Sequence, residues 1–172
     1  MSEYLRTHRL VLRNFTKEDF PAVFSWRNDP DCARYQRWAD TSAEAVQAYL
    51  ARHSSDMFLS EKEEQHYSVA DHSGLTLGEL SWFYNPSDRC ITLGITITPK
   101  QQGQGLAYEL LRAVVACCRR HYPEMDIVAL IHPRNTASLR LFQKLGFREE
   151  CYAKSIESYV YTLFTGNPTN GT

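Results

Sequence analysis

The sequence predicts a single α/β domain: a central mixed sheet, mostly antiparallel, of about seven strands, with helices on both faces. The chain has 172 residues, an ordinary length for one domain. Its composition, 43% hydrophobic and 23% charged residues, can fill and cover a core. Strand and helix patterns alternate, first as antiparallel hairpins and then as β-α-β-α-β, which indicates one sheet covered on both sides.

The first hundred residues predict four strands, over 9–13, 65–71, 76–84 and 90–98, from apolar alternation and from turn signals between them. Two patterns between the first and second strands resemble capping boxes: Thr16 with Asp19, and Thr41 with Glu44. Each predicts the start of a helix. The first helix ends at residues 28–30, Asn-Asp-Pro, and the second covers residues 45–53.

The strongest predicted element is a helix over 105–121, because Leu106, Leu110, Val114 and Cys118 recur every four residues. A strand over 127–131, a helix over 136–145 that ends at Gly146, and strands over 147–151 and 159–164 follow. We expect residues 1–166 to form the domain and residues 167–172 to form a disordered tail.

Charge and cysteine content argue against several classes of function. The net charge of -1 supplies no general attraction to nucleic acid or to an anionic membrane. No stretch has the ~20 apolar residues of a membrane span, and the polar start of the chain does not resemble a signal peptide. Five cysteines, an odd number without metal-ligand spacing, predict a reducing, cytoplasmic location without a disulfide framework. Scattered histidines likewise predict no metal site: His66, His72, His121 and His132.

The segment over residues 91–111 carries the main functional signal. A strand ends at Thr98, a loop with Gly103 and Gly105 follows, and a helix begins at once. Unpaired N–H groups at a helix start, beside glycines that let a phosphate approach, make an anion site physically reasonable. The loop is neither a Walker A motif nor a dinucleotide fingerprint, since Tyr108 stands at the third glycine position. A tight turn without a ligand is the alternative.

Two blocks of sequence resemble the GNAT family of N-acetyltransferases. Residues 102–107, QGQGLA, fit the family's loop [QR]-x-x-G-x-[GA]. Residues 135–147, NTASLRLFQKLGF, are similar to its signature N-x-x-[AS]-x-x-x-[FY]-x-K-x-G-F. The opening over residues 7–13, THRLVLR, is similar to the branch that acetylates the N-termini of ribosomal proteins. The resemblance spans residues 7–164 and implies a GNAT-like domain.

The resemblance implies that acetyl-coenzyme A is the cosubstrate. The family holds the pyrophosphate on backbone amides of the loop, here those of Gln102, Gly103, Gln104, Gly105, Leu106 and Ala107. The pantetheine arm lies where two strands splay apart, here 90–98 and 127–131, so Ile95, Thr96 and Ile97 would offer it backbone groups. Asn135 would bond the arm near the pyrophosphate, and a plain N-cap is its alternative role.

The implied reaction is direct attack of a neutral amine on the acetyl thioester, which needs a base and a group that assists the thiolate. We expect Glu79 to be the base, because many family members place a carboxylate on this strand. A bulge at Gly78 decides its facing, and a solvent-facing glutamate is the alternative. Many members protonate the thiolate with a tyrosine at the position of Phe142. We expect Ser138 to assist instead, and a hydroxyl bonded to its own helix is the alternative.

The expected acceptor is a primary amine, either a protein N-terminal α-amine or a small-molecule amine. An α-amine, with a pKa near ~8, loses its proton more readily than a lysine near ~10.4, so one modest base suits it better. Family pockets use the first helices, so we expect Trp26, Tyr35 and Trp38 to contact the acceptor. No nucleic acid, membrane or metal is expected, and a homodimer stays open. A non-catalytic sensor or scaffold that binds acetyl-coenzyme A is the alternative function.

Overall fold

The computed structural model describes residues 2–166, and the predicted disordered tail over 167–172 lies outside the described residues. Eight strands are present in this part: β1 (Glu3–Arg6), β2 (Leu10–Arg13), β3 (Glu64–Asp71), β4 (Thr76–Asn85), β5 (Cys90–Ile97), β6 (Asp126–Ile131), β7 (Arg148–Ala153) and β8 (Ser158–Leu163). The helices are α1 (Phe20–Arg27), α2 (Pro30–Ala33), α3 (Ala43–Arg52), α4 (Leu106–His121) and α5 (Thr136–Lys144). No helix among the described residues is long and apolar enough to cross a membrane.

The strands form one sheet in the order β1-β2-β3-β4-β5-β6-β8-β7. Every neighbouring pair is antiparallel except β5 and β6, which are parallel and are connected through α4. The mixed, mostly antiparallel sheet is therefore confirmed, with eight strands instead of about seven. The additional strand is β1, a four-residue edge strand that is too short to show an apolar alternation.

Two apolar clusters lie on opposite faces of the sheet, because successive side chains of a strand point to opposite sides. Leu80 and Trp82 of β4 belong to the larger cluster, to which α4 and α5 contribute. The intervening Glu79 contacts α1 on the other face. The smaller cluster packs α1 and α3 together and includes Phe15, Val23, Trp26, Cys32, Val46 and Leu50. Helices cover both faces, as predicted.

The capping predictions hold in part. Thr16 and Asp19 form a capping box, which opens a short 3-10 turn (Lys17–Asp19) leading directly into α1. The prediction that Thr41 caps α3 is wrong by one residue. Ser42 is the N-cap, its Oγ accepting from the Ala45 N–H at 3.2 Å, while the Thr41 hydroxyl donates to Asn28.

Candidate active site

The candidate site is built on an opening between β5 and β6. These strands pair only at their N-terminal ends, where residues 90–92 lie opposite residues 126–128. β5 stays paired with β4 as far as Ile97, and β6 stays paired with β8 as far as Ile131. The C-terminal halves of β5 and β6 therefore leave a gap within the described sheet. We call this the β5–β6 gap.

Backbone groups of alternate β5 residues face the gap, because neighbouring residues of a strand direct their N–H and C=O groups to opposite sides. The Thr98 N–H donates to the Leu77 carbonyl, and the Thr96 carbonyl also faces β4, 2.1 Å from where a Cβ on Gly78 would lie. Thr96 thus differs from the expectation, since its carbonyl is turned away from the gap. Ile95 and Ile97 face the gap, and the Ile97 carbonyl already accepts from Gln102 Nε2 at 2.9 Å.

The glycine loop joins this gap to the start of α4. Gly103 and Gly105 have φ angles of +76° and +77°, in the left-handed region that favours glycine. Gly105 is the N-cap of α4, and no side chain caps the first turn. The first N–H groups of a 16-residue helix are thus left for another acceptor, next to the positive end of its dipole.

Arg9 supports the glycine loop from outside. Its Nη1 donates to the Gln104 carbonyl at 2.9 Å, and its Nε donates to Glu109 Oε2 at 2.7 Å in the first turn of α4. Glu109 also accepts from the Thr7 hydroxyl and from the Arg9 N–H. The opening of the chain therefore fixes the loop and places a guanidinium beside it.

The helix that follows β6 holds Asn135, Ser138 and Phe142. Asn135 is the N-cap of α5, because its Oδ1 accepts from the Ser138 N–H at 3.3 Å. Ser138 is half-buried, and its hydroxyl has no hydrogen-bond partner among the described residues. Phe142 is buried and packs edge-on against Phe147, with ring centroids 5.0 Å apart. The absent tyrosine is thus replaced by a core side chain.

Glu79 lies on β4 directly opposite Thr96 of β5. It is only 4% exposed, so the alternative of a solvent-facing glutamate is wrong. The expected bulge is present, since β3 changes register between Val69, opposite Gly78, and Ala70, opposite Thr76. This bulge lets Glu79 turn inward beneath α1.

The Glu79 carboxylate has two partners on α1. Arg27 Nη2 donates to Oε1 at 3.0 Å, and Trp26 Nε1 donates to Oε2 at 3.3 Å. Burial raises the pKa of Glu79, and the charge of Arg27 opposes that rise. Arg27 is also sandwiched by aromatic rings, with Cζ 3.8 Å from the Tyr49 ring centroid and 4.9 Å from that of Trp38.

Residues 34–38, which follow α2, extend across the β5–β6 gap, and we call them the strap. Gln36 Nε2 donates to Thr96 Oγ1 at 3.2 Å on the β5 side. Tyr35 lies on the β6 side, where its ring stacks on His132 with centroids 5.0 Å apart. The strap thus covers the gap on the face that carries Glu79.

Of the residues expected to contact an acceptor, Tyr35 and Trp38 lie in the strap, and both are half-buried. Trp26 does not fit this expectation. It is 1% exposed and packs in the smaller apolar cluster, so its contribution to the site is the hydrogen bond to Glu79. Arg37 connects the strap to the turn between β7 and β8, since its Nη2 donates to the Ile156 carbonyl at 2.6 Å.

Comparison with known proteins identifies the family. The profile described as Acetyltransferase (GNAT) domain matches residues 9–148, which is most of the chain. The chain belongs to the GNAT acetyltransferase family. It is 22% identical over 151 residues, covering 88% of this chain and 86% of the relative, to an uncharacterized N-acetyltransferase, YnaD, of Bacillus subtilis (strain 168). It is 34% identical over 92 residues to the ribosomal protein uS5-alanine N-acetyltransferase of Escherichia coli (strain K12), covering 54% of this chain and 43% of that enzyme.

Solved acetyltransferase structures share the fold. A GNAT acetyltransferase from Bacillus anthracis has a TM-score of 0.79 at 21% identity, with 93% of this chain and 97% of that chain covered. RimL, a ribosomal L7/L12 alpha-N-protein acetyltransferase in complex with coenzyme A, has a TM-score of 0.77 at 17% identity, covering 95% and 98%. Spermidine N-acetyltransferase from Vibrio cholerae, in complex with coenzyme A and spermine, has a TM-score of 0.70 at 18% identity, covering 89% and 92%.

Sequence reasoning missed the roles of three side chains that shape this GNAT site: Arg9, Arg27 and Gln36. Arg27 had a detectable signal, because a carboxylate placed on a buried strand needs a cationic partner. His53 and Glu64, which the fold brings beside His66, were not predicted to form a site. Strand alternation places Glu64 and His66 on one face, but it does not show that the end of α3 covers them.

Proposed function

We propose that this GNAT family member transfers an acetyl group from acetyl-coenzyme A to a primary amine, within a single N-acetyltransferase domain over residues 1–166. The observation that carries the proposal is the β5–β6 gap, which opens beside an uncapped helix start. An extended ligand with a phosphate at one end matches both features, because the gap offers strand-like backbone groups and the helix start offers N–H donors. The gap and the helix start belong to the same chain.

The glycine loop is the proposed phosphate site. The backbone amides of residues 102–107 would donate to the pyrophosphate, and the partly exposed Arg9 guanidinium would add positive charge beside them. Asn135, whose Oδ1 already caps α5, would reach the arm through its amide N–H₂ group. Ile95 and Ile97 would pair with the arm in the gap, whereas Thr96 would contribute through its side chain.

The proposed chemistry is direct transfer. The amine nitrogen attacks the thioester carbonyl carbon, the carbon–sulfur bond breaks, one amine proton passes to a base, and the thiolate leaves with a proton or a hydrogen bond. Glu79 is the proposed base. Its burial favours proton uptake, and its position opposite Thr96 places it one strand from the gap. The bond to Arg27 keeps the carboxylate ionised before the transfer.

Ser138 is the proposed donor to the leaving sulfur. Its hydroxyl has no partner among the described residues, and it stands one helical turn before the buried Phe142 on α5. Since Phe142 has no proton to give, a hydroxyl on the same helix is the simplest substitute. The loss of this transition-state donor should lower kcat by ~10- to ~100-fold, which is enough to make the role measurable.

A protein N-terminal α-amine is the acceptor that we favour, in the cytoplasm. Relatives named for a ribosomal-protein alanine and for ribosomal L7/L12 support it, and the spermidine enzyme keeps small-molecule amines as the second class. The α-amine also needs the weaker base. Five free cysteines, among them the exposed Cys151, fit a reducing compartment.

The test is release of free coenzyme A thiol from acetyl-coenzyme A by the purified protein with matched amines. One peptide carries a free N-terminal alanine and no lysine, a second has a blocked N-terminus and one lysine, and spermidine is the third substrate. We expect thiol release with the first peptide, and mass spectrometry should place the acetyl group on its α-nitrogen. Saturable acetyl-coenzyme A binding without release for any amine would instead support the sensor or scaffold, which Phe142 at the tyrosine position favours.

A further inference from the structure

Two buried imidazoles lie against each other on the face of the sheet covered by α3. His53 is the C-cap residue of α3 and is 1% exposed, and His66 on β3 is 8% exposed. Their ring centroids are 4.4 Å apart, with the planes inclined by 64°. Neither residue takes part in the proposed acetyl transfer, so the pair needs a separate explanation.

A carboxylate holds one nitrogen of each ring. His53 Nδ1 lies 2.7 Å from Asp56 Oδ2, and His66 Nε2 lies 2.8 Å from Glu64 Oε1. Asp56 is itself fixed, because it accepts from the His66 backbone N–H at 2.8 Å and bonds Lys62. Asp56 therefore sets the tautomer and orientation of His53 and leaves its Nε2 free, which is the usual arrangement behind a metal-binding histidine.

The other nitrogen of each ring is unsatisfied. His53 Nε2 and His66 Nδ1 are buried and have no hydrogen-bond partner among residues 2–166. The Tyr49 hydroxyl is also buried without a partner, and the Tyr49 ring contacts both imidazoles, with centroids 4.9 and 5.2 Å away. Buried polar atoms are nearly always paired, so the unpaired Nε2 of His53, beside a second imidazole and a carboxylate, indicates a ligand that satisfies it.

We propose that His53, Glu64 and His66 bind a divalent transition-metal ion, with zinc the best match. One potential ligand atom from each residue lies within 4.8 Å of the other two. His53 would bind through Nε2, since Asp56 holds Nδ1. His66 would bind through Nε2, with the ion inserted into its present hydrogen bond to Glu64 Oε1. Two imidazoles and one carboxylate form a zinc-type ligand set that leaves a fourth position for water.

Charge and access agree with this assignment. The nearby cation Arg27 is neutralised by Glu79, and Lys62 is paired with Asp56. Glu64, with 49% of its side chain exposed, gives an ion a route from solvent.

The proposal is tested by titrating zinc chloride into chelator-treated full-length protein and measuring binding by calorimetry. We expect one zinc ion per chain. His53→Gln and His66→Gln should each abolish the binding, and Glu64→Gln should weaken it about tenfold or more. His121→Gln changes an exposed histidine on α4 and should bind like the wild type. Cobalt in place of zinc should give a ligand-field spectrum without a thiolate charge-transfer band, which excludes the cysteines as ligands.

Absence of saturable binding to the wild type would overturn the proposal, as would unchanged affinity in a His53→Gln/His66→Gln double variant. Circular dichroism checks that each variant folds. Where a histidine variant does not fold, Glu64→Gln decides, because its half-exposed side chain can change without disturbing the core. Unchanged zinc affinity in folded Glu64→Gln would remove Glu64 from the site and overturn the three-ligand assignment.

Discussion

Arg27 Nη2 lies 3.0 Å from Glu79 Oε1, and both side chains are buried between α1 and the sheet. A buried ion pair of this kind is asymmetric in its energetics. Removal of one partner leaves the other charge uncompensated in a medium of low dielectric constant, whereas removal of both is far less costly. The pair links helix α1 to the strand beside the β5–β6 gap, so its loss should affect stability and chemistry separately.

Arg27→Met should lower the free energy of unfolding by roughly 3–5 kcal/mol, because it leaves the Glu79 carboxylate buried without its cation. Urea denaturation measures the loss. Arg27→Met/Glu79→Leu should recover a large part of it. Arg34→Met, which removes an exposed pair with Asp31, is the matched control and should change little. An equal loss of unfolding free energy in Arg27→Met and Arg34→Met would show that the buried pair stabilises the fold no more than the exposed pair does.

Glu79→Gln should lower kcat and flatten the acidic side of the pH–rate profile. The pKa of Glu79 is raised above its ordinary value of 4.5, so the carboxylate takes up a proton as the pH falls through this raised pKa and can then no longer accept one from the amine. Ionisation of the amine affects the wild type and Glu79→Gln equally, so it cancels in the ratio of wild-type kcat to variant kcat. That ratio should fall toward acid pH, because only the wild type loses a base there. A ratio that is independent of pH would eliminate Glu79 as the base.

Gly105→Val should abolish or strongly weaken acetyl-coenzyme A binding, measured by calorimetry, because a side chain would project where the phosphate must approach the helix start. Gly74→Val is the control: this glycine also has positive φ, +94°, and open space around its Cβ, but it lies in a hairpin turn. Both substitutions carry a backbone cost of about 1–2 kcal/mol. Equal cofactor affinity in the two variants would remove the loop from the site.

Arg9→Met should weaken acetyl-coenzyme A binding by about 3- to 10-fold, since a hydrogen bond to a charged group contributes ~1.5–3 kcal/mol when buried and less when partly exposed. Among the described residues Arg9 bonds the glycine loop, whereas Arg6 pairs with Glu3. Arg6→Met, which breaks an exposed pair with Glu3, should keep wild-type affinity. Identical Kd values for both variants would mean that Arg9 acts on the fold alone.

Ser138→Ala should lower kcat by ~10- to ~100-fold with little change in KM, as expected when an interaction exists mainly in the transition state. Thr136→Ala changes an exposed residue in the first turn of the same helix and serves as control. Rates are compared under conditions where chemistry is limiting. If kcat is unaltered in Ser138→Ala, the serine is a structural residue of α5 and another donor assists the sulfur.

The sequence predicted best those elements whose apolar residues repeat on one face. α4 begins at Leu106, one residue after the predicted start at residue 105. Its apolar residues repeat over 16 positions on one face, so only one placement of the helix buries them all. β1 escaped prediction because its stability comes from pairing with β2 and from the packing of Tyr4 and Leu5, neither of which a four-residue segment reveals.

Side-chain roles at the site were less predictable than the backbone. The glycine loop is visible in the local sequence, whereas the β5–β6 gap was expected only from the resemblance to the GNAT family. The partners of Glu79 are not visible in the local sequence, because Arg27 and Trp26 are more than fifty residues away in the chain and meet it only after α1 packs on the sheet. For the same reason Trp26, expected at the surface of a pocket, is a core residue.

Three residue pairs are all that join β5 to β6 in the described sheet, so the molecule consists of two panels that meet along a short seam. One panel holds β1 to β5 and the other holds β6 to β8, and α4, the apolar core and the strap also connect them. A ligand lying along the open part of the seam would tie the inner edges together. Occupancy and rigidity should therefore rise together, with slower amide exchange at Ile95 and Ile97 as cosubstrate fills the gap. The transferase would then be least rigid when its acetyl donor is scarce.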